Sequence, residues 1–541
     1  MFPKTPPRYV LAALAISLGG LINGYDTGSI GAVLSMAQFT DAIGKLSSSL
    51  VGFTVSLIML AGAVPSVFAG WLADRYGRLR TIMLGTVLFA LGAVLQGTAT
   101  RLPQFLAGRT LAGLGEGVYL SSMAVYISEI SPTRSRGVLA GLPQFMATLG
   151  ICLGYFTCYA SVHIGADRPD GASPVSDSMA WRLPFIVMIA IAGVLVFCCA
   201  RLPESPRWLI SYGDRVGAMD ALRRLDFSMA EAEKEFLSET SGVAGGPRPS
   251  LSPWQSFTLL FKRGYRARTI LALFVLGMVQ LSGIDGVLYY APLLFGQAGL
   301  SSSTASFLAS GLSGILMLAI SIPAFLLSDK WGRRTSAITG GLGLSACMFL
   351  IGSLYAAGAV HSYGIARWVV IVCVFLFGLV YSATWGIVGK VYASEIQPTH
   401  VRAAANCVAQ GLGFFTNWLV AILTPVLLDK SAFGAYFLFG GLALFTVAVL
   451  GACMPETRGR SLEDIQQAFH QPCSLGSLTS KMKTLGVRHR NGHGNASVVA
   501  LDQTQTVVDE VAEGGGNAVE LSNFTNPVLR EPVIRPLRVT H

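Results

Sequence analysis

Charge is what this sequence has least of. Asp, Glu, Lys and Arg supply 13% of its 541 residues, where soluble globular chains carry about 25%. That shortage excludes an ordinary water-soluble domain and leaves a polytopic membrane protein. Nine cysteines are scattered with no Cys-x-x-Cys spacing, so no disulfide framework and no metal site is expected, and no cofactor either. No Gly-x-x-x-x-Gly-Lys-Ser/Thr run occurs, which excludes a pump driven by that nucleotide-binding loop. No cluster of Ser, His and Asp marks an activated nucleophile, so an enzyme is not expected. Met1 to Arg8 holds no separate signal peptide, and the first apolar helix is expected to act as its own insertion signal.

Apolar residues are what the chain has in abundance, at 52% with a mean hydropathy of +0.57. Stretches of about 20 apolar residues, enough to cross a bilayer, predict twelve helices. They lie near 9–34, 49–72, 80–99, 103–127, 138–162, 183–202, 268–292, 304–328, 336–357, 367–390, 404–428 and 433–454. Sixty-one glycines suit helices that approach closely in lipid. The net charge of +10 is no nucleic-acid footprint, because the basic residues sit beside alternate helix ends, as at Arg75, Arg134, Arg266, Arg334 and Arg458. The positive-inside rule then puts both termini in the cytoplasm.

Two halves are expected, 1–202 and 267–465, joined by a polar stretch at 203–266 with amphipathic helices near 214–226 and 229–239. The polar tail at 466–541 lacks helical periodicity and is expected to be disordered. Three motifs return in the same order half a chain apart. Asp74-Arg75-Tyr76-Gly77-Arg78 recurs as Asp329-Lys330-Trp331-Gly332-Arg333, Ser128-Glu129-Ile130 as Ser394-Glu395-Ile396, and Pro203-Glu204-Ser205 as Pro455-Glu456-Thr457. The fold class is therefore an all-α membrane protein: twelve spanning helices in two six-helix pseudo-symmetric halves with a cytoplasmic helical insert. Such duplications place a solute site between the halves.

One acid stands inside the first apolar stretch, in Gly24-Tyr25-Asp26-Thr27-Gly28. An ionisable group there costs roughly 2.5–3.5 kcal/mol on insertion scales, and such groups are usually functional. A carboxyl that can take up a proton inside a membrane is a simple engine for proton-linked transport. Glu116 lies seven residues after Arg109, on a similar face of the fourth helix. It offers either a second protonation site or a hydrogen bond within the bundle.

Together with Gly108-Arg109 and Gln280-Leu281-Ser282-Gly283-Ile284, followed by Tyr289-Tyr290, these motifs resemble the fungal-like sugar-porter branch of the major facilitator superfamily. These porters include sugar and polyol:proton symporters. The resemblance covers residues 20–465 or so. It implies alternating access by two six-helix domains around a central cavity. Arg109 becomes the expected partner of Asp26, and Asp26, Arg109 and Glu116 the proton-coupling set. Asp74, Arg75, Arg78, Glu129, Asp329, Arg333, Glu395 and Arg402 match the family's inner salt-bridge network.

The substrate set the resemblance implies is Gln144, Gln280, Asp285, Tyr289, Trp385 and Lys390. Here the chain departs from a hexose carrier. Val279 stands for a glutamine, Asp285 for an asparagine, Met317 and Gly413 for asparagines, and Lys390 for the tryptophan that packs on the sugar ring. A cavity that has lost hydroxyl partners and gained a cation suits a less hydroxylated or an anionic solute. The expected function is proton-coupled import of a sugar, polyol or sugar acid across the plasma membrane. The partners are that small molecule, protons and the lipid bilayer, with no nucleic acid. An exporter of a small acidic metabolite and a non-transporting nutrient sensor stay open as alternatives.

Overall fold

A computed structural model describes residues 6–132, 135–162, 174–232, 253–262, 265–300, 303–327, 331–361, 364–397, 402–431 and 433–457. The expected disordered tail at 466–541 lies outside them, as do residues 233–252 of the polar insert. Every described element is helical. Among the described residues, ten helices are long and apolar enough to cross a membrane. Two more complete the twelve. Helix four, Leu102–Ile130, is long enough but carries Arg109, Glu116 and Glu129. Helix eight is Ser303–Leu327, with its apolar stretch at Leu308–Ala324.

Three of the twelve are interrupted, and each break has a local cause. Helix one divides at Ser17 into Arg8–Ile16 and Leu18–Leu34, and the Ser17 hydroxyl donates to the Ala13 carbonyl at 2.6 Å. A serine bonding back to its own helix competes with the backbone ladder and bends it. Helix seven, expected as one span over 268–292, is three pieces: Arg266–Gln280, Ile284–Tyr289 and Ala291–Gln297. Gly283 sits between the first two at φ +88°, a left-handed conformation that costs glycine nothing. Helix ten is Ile365–Ala383 and Trp385–Glu395, parted at Thr384 with φ −128° and ψ −82°.

Helices one and five pack backbone to backbone. A Cβ on Gly24 would stand 1.8 Å from the Ala147 carbonyl oxygen, and one on Gly150 would stand 2.2 Å from that of Leu21. The halves meet along helices two and eleven, where Gly52 faces Pro425 and Gly411 faces Ala63. They meet again along helices five and eight, where Gly314 faces Cys152.

The insert contributes three short helices, Pro206–Ser211, Arg215–Arg224 and Pro253–Leu260, and one turn at Met229–Ala232. Asp214 caps Arg215–Arg224 through the Gly217 N–H, and Ala218, Ala221 and Leu222 form its buried face. This segment holds the start of helix one: the Arg8 N–H donates to Asp226, and Tyr9 stacks on Phe227 at 5.2 Å.

Candidate functional site

The two buried charges of helices one and four face each other. Arg109 Nη1 donates to both Asp26 oxygens, at 2.7 and 2.9 Å. Its remaining nitrogens donate to helix-two carbonyls, Nε to Thr54 at 3.3 Å and Nη2 to Val55 at 2.8 Å. Asp26 is 1% exposed and Arg109 fully buried. A buried ion pair persists only when its spare hydrogen-bonding positions are also satisfied, and the guanidinium here binds three helices together. Beside it, Asn23 Nδ2 donates to Glu116 Oε1, and Glu116 is fully buried.

The N-terminal copies of the three repeated motifs turn out to be parts of one cluster. In the N-terminal half Arg78 grips Glu129 with Nε and Nη2, both at 2.9 Å, and its Nη2 reaches Asp74 at 2.8 Å. Glu204 accepts from the N–H groups of Arg78, Leu79 and Arg80 at 3.1, 3.3 and 3.4 Å, capping helix three. In the C-terminal half Glu456 does the same for helix nine, accepting from Arg333 at 2.8 Å and Arg334 at 3.1 Å. The glycines of the first motif make room for these acids. A Cβ on Gly77 or Gly332 would lie 2.7 or 2.6 Å from a Glu204 or Glu456 oxygen.

Arg75 stands apart from this network, over the rings of Trp71 and Tyr76 at 5.7 Å each. Asp329 and the side chains of Glu395 and Arg402 lie outside the described residues. Removing a helix N-cap costs about 0.5–2 kcal/mol. Glu204→Ala is therefore expected to lower the melting temperature of the purified protein, with Glu204→Gln falling between it and wild type. Equal melting of all three would remove the capping role.

A cleft opens between the halves. Its lining comes from helix five (Gly141, Gln144, Phe145 and Thr148), helix eight (Ser321) and helix ten (Ser382, Gly386 and Ile387). Thr148 donates to the Gln144 carbonyl at 3.1 Å and Ser321 to that of Leu318 at 2.8 Å. Hydroxyls that donate within their own helix keep lone pairs to offer a solute.

Of the expected substrate residues, Gln144 lines this cleft. Tyr289 is 1% exposed and belongs to a seal farther from the Arg78 cluster. There its carbonyl meets Gly31 of helix one, and the Tyr155 hydroxyl of helix five donates to the Leu288 carbonyl. Asp285, mostly buried, opens the short helix Ile284–Tyr289, and Gln280, partly exposed, ends the helix before it. Trp385 turns into its own half, donating Nε1–H to the Ala337 carbonyl at 2.7 Å and packing on Gly341. The Lys390 side chain lies outside the described residues. Sequence reasoning missed Thr148, four residues past Gln144 and so on the same helix face, and Ser382, which stands just before the break at Thr384.

The family profile described as "Sugar (and other) transporter" matches residues 12–469. The chain belongs to the sugar-porter family of the major facilitator superfamily. It is a multi-pass membrane transporter and not an enzyme. This sugar porter is 30% identical over 470 residues to the glucose transporter GlcP of Staphylococcus epidermidis, covering 86% of this chain and 98% of that one. It is also 30% identical over 491 residues to the probable polyol transporter 6 of Arabidopsis thaliana, covering 87% and 96%.

Among solved structures its fold resembles the proton:xylose symporter XylE bound to 6-bromo-6-deoxy-D-glucose. The TM-score is 0.70 at 24% identity, over 85% of this chain and 98% of that one. The partially occluded inward-open conformation of XylE from E. coli gives a TM-score of 0.67 at 24% identity, over 84% and 100%. At that identity the likeness bears on the fold.

Proposed function

We propose that this sugar porter is a proton-coupled secondary transporter that imports a sugar, polyol or sugar acid across the plasma membrane by alternating access, with both termini in the cytoplasm. The observation that carries the reading is the buried Asp26–Arg109 pair. A carboxylate held by a guanidinium inside the bundle can be neutralised by one proton. Doing so frees Arg109 and changes what holds helix one to helices two and four. Protonation is thereby tied to the packing of the N-terminal half.

The cleft is narrow, about 10 Å³, and its lining is chemically suited to a hydroxylated solute once alternating access widens it. Gln144, Thr148, Ser321 and Ser382 bring an amide and three hydroxyls to one space, and the named relatives carry glucose, polyols or xylose by their descriptions. Lys390 lies one helical turn past Gly386 and Ile387, and a cation at that position favours a solute with a carboxylate.

The test is uptake into proteoliposomes under an imposed proton gradient, offering a hexose, a polyol and a sugar acid. With one proton per solute, each pH unit supplies about 1.4 kcal/mol, or tenfold accumulation. Wild type is expected to approach that figure for its substrate, while Asp26→Asn only equilibrates it. Equal accumulation by Asp26→Asn would remove the coupling assignment. Should the accumulated solute be an anion, Lys390→Ala is expected to raise its KM while sparing neutral analogues.

A further inference from the structure

Asn23 and Glu116 make a second polar bridge between helices one and four. Asn23 precedes Asp26 by three residues, and Glu116 follows Arg109 by seven. At about 1.5 Å per residue on antiparallel helices, the second bridge lies roughly 5–10 Å nearer the Arg78 cluster. Glu116 is fully buried, Asn23 donates to its Oε1, and its Oε2 has no partner among the described residues.

The surroundings restrict what Glu116 can carry. Asp26 and Arg109 already neutralise each other. Among the charged and titratable groups near Glu116, helix one presents Asp26. Helix four presents Arg109 and Tyr119, and helix seven presents Tyr289. Helix two contributes the Gly62 backbone against Gly117 and no charge. A second carboxylate here would be a buried, unbalanced negative charge with one donor, which is costly. A neutral acid avoids that cost while Asp26 is paired.

We propose that Glu116 is the inner proton station of the coupling site: one proton alternates between Asp26 and Glu116, so that Arg109 always faces a single carboxylate. This rests on the proton-coupled reading given above. When Asp26 gives up its proton, its O–H bond breaks, it pairs with Arg109, and an O–H bond forms on Glu116. The three groups together hold no net charge before or after. Because Glu116 lies nearer the Arg78 cluster, the proton it holds has moved inward along the bundle. Its release on that side is coupled to uptake of the next proton by Asp26 from the other side, which leaves Glu116 as the single carboxylate facing Arg109 and completes the cycle.

Glu116→Gln tests this directly, since its amide oxygen still accepts from Asn23 while it can no longer exchange a proton. Proteoliposomes containing the full chain would be assayed for gradient-driven accumulation and for exchange of labelled against unlabelled substrate, with an internal pH dye reporting proton entry. Accumulation and substrate-driven proton entry are expected to fall about tenfold, with exchange kept within about twofold. Unchanged accumulation in Glu116→Gln, beside its loss in Asp26→Asn, would overturn the station and leave Asp26 coupling intact. Full accumulation in Asp26→Asn would instead remove the underlying reading. If Glu116→Gln fails to fold, Asn23→Ala keeps the acid and removes its donor. A shifted pH midpoint of uptake supports the station, and an unchanged midpoint overturns it.

Discussion

Arg109→Leu is expected to be among the most damaging single substitutions in the membrane interior, abolishing transport and lowering stability together. Arg109 satisfies both Asp26 oxygens and the Thr54 and Val55 carbonyls. Its removal leaves a carboxylate 1% exposed with no countercharge. Breaking a buried pair from one side costs about 3–5 kcal/mol, mostly the penalty on the charge left behind. The double substitution Asp26→Asn/Arg109→Leu removes that stranded charge. It is expected to melt well above Arg109→Leu alone, yet still to lack gradient-driven accumulation. Thermal melting of the wild type, both single variants and the double variant in detergent gives the interaction energy between the two sites. Additive effects would mean that the ion pair is not what holds helices one and four.

Gly31→Ala is expected to act on conformation and not on folding. Gly31 of helix one meets Tyr289 of helix seven across the two halves, and a Cβ there would lie 1.7 Å from the Tyr289 carbonyl oxygen. Neither backbone can yield that much while the seal stays closed. In alternating access the seal opens in the other state, where the added methyl meets no such obstacle. The substitution therefore biases the protein toward that state.

A cysteine at Gln144 in the cleft, with native cysteines replaced by serine, would report the bias. Labelling by an impermeant maleimide from the side of the seal is expected to rise about tenfold, which corresponds to a shift of about 1.4 kcal/mol between states. Gly24→Ala is the contrast. Its Cβ would stand 1.8 Å from Ala147, but both residues lie in the same half. Its expected effect is loss of folded protein in either state. Unchanged labelling in Gly31→Ala with normal transport would mean that the halves do not separate at this contact.

Much of the architecture could be read from patterns that need no tertiary information. Apolar runs located all twelve helices, because a bilayer demands that length whatever the neighbours are. The breaks in helices seven and ten were not placed. The Gly283 turn is a backbone conformation, and nothing in the apolarity of the surrounding run marks it. Asp26 stood out because a single acid in an apolar stretch is rare. Its bidentate partner followed from family resemblance and not from spacing, since 83 residues separate the two. The repeats of the three motifs were visible as repeats. The resemblance put Arg78 and Glu129 in one salt-bridge network, but that Glu204 caps the helix begun by Arg78 was not visible, because that acid arrives from a distant segment.

The cleft divided the expected substrate residues by facing. Gln144 lines it, whereas Trp385 is rotated toward helix nine and Tyr289 is held in the seal. A break rotates everything beyond it, so which face of helix ten looks inward depends on the turn at Thr384. By itself, then, the sequence determined the membrane class, the helix count, the twofold repeat and the two acids worth watching, Asp26 and Glu116. These follow from local hydropathy and from charge that cannot hide in lipid. Only the tertiary structure decided which side chains share the cleft, which close the seal, and that Glu116 meets Asn23. Those outcomes depend on the rotation and approach of helices far apart in the chain, which no local pattern encodes.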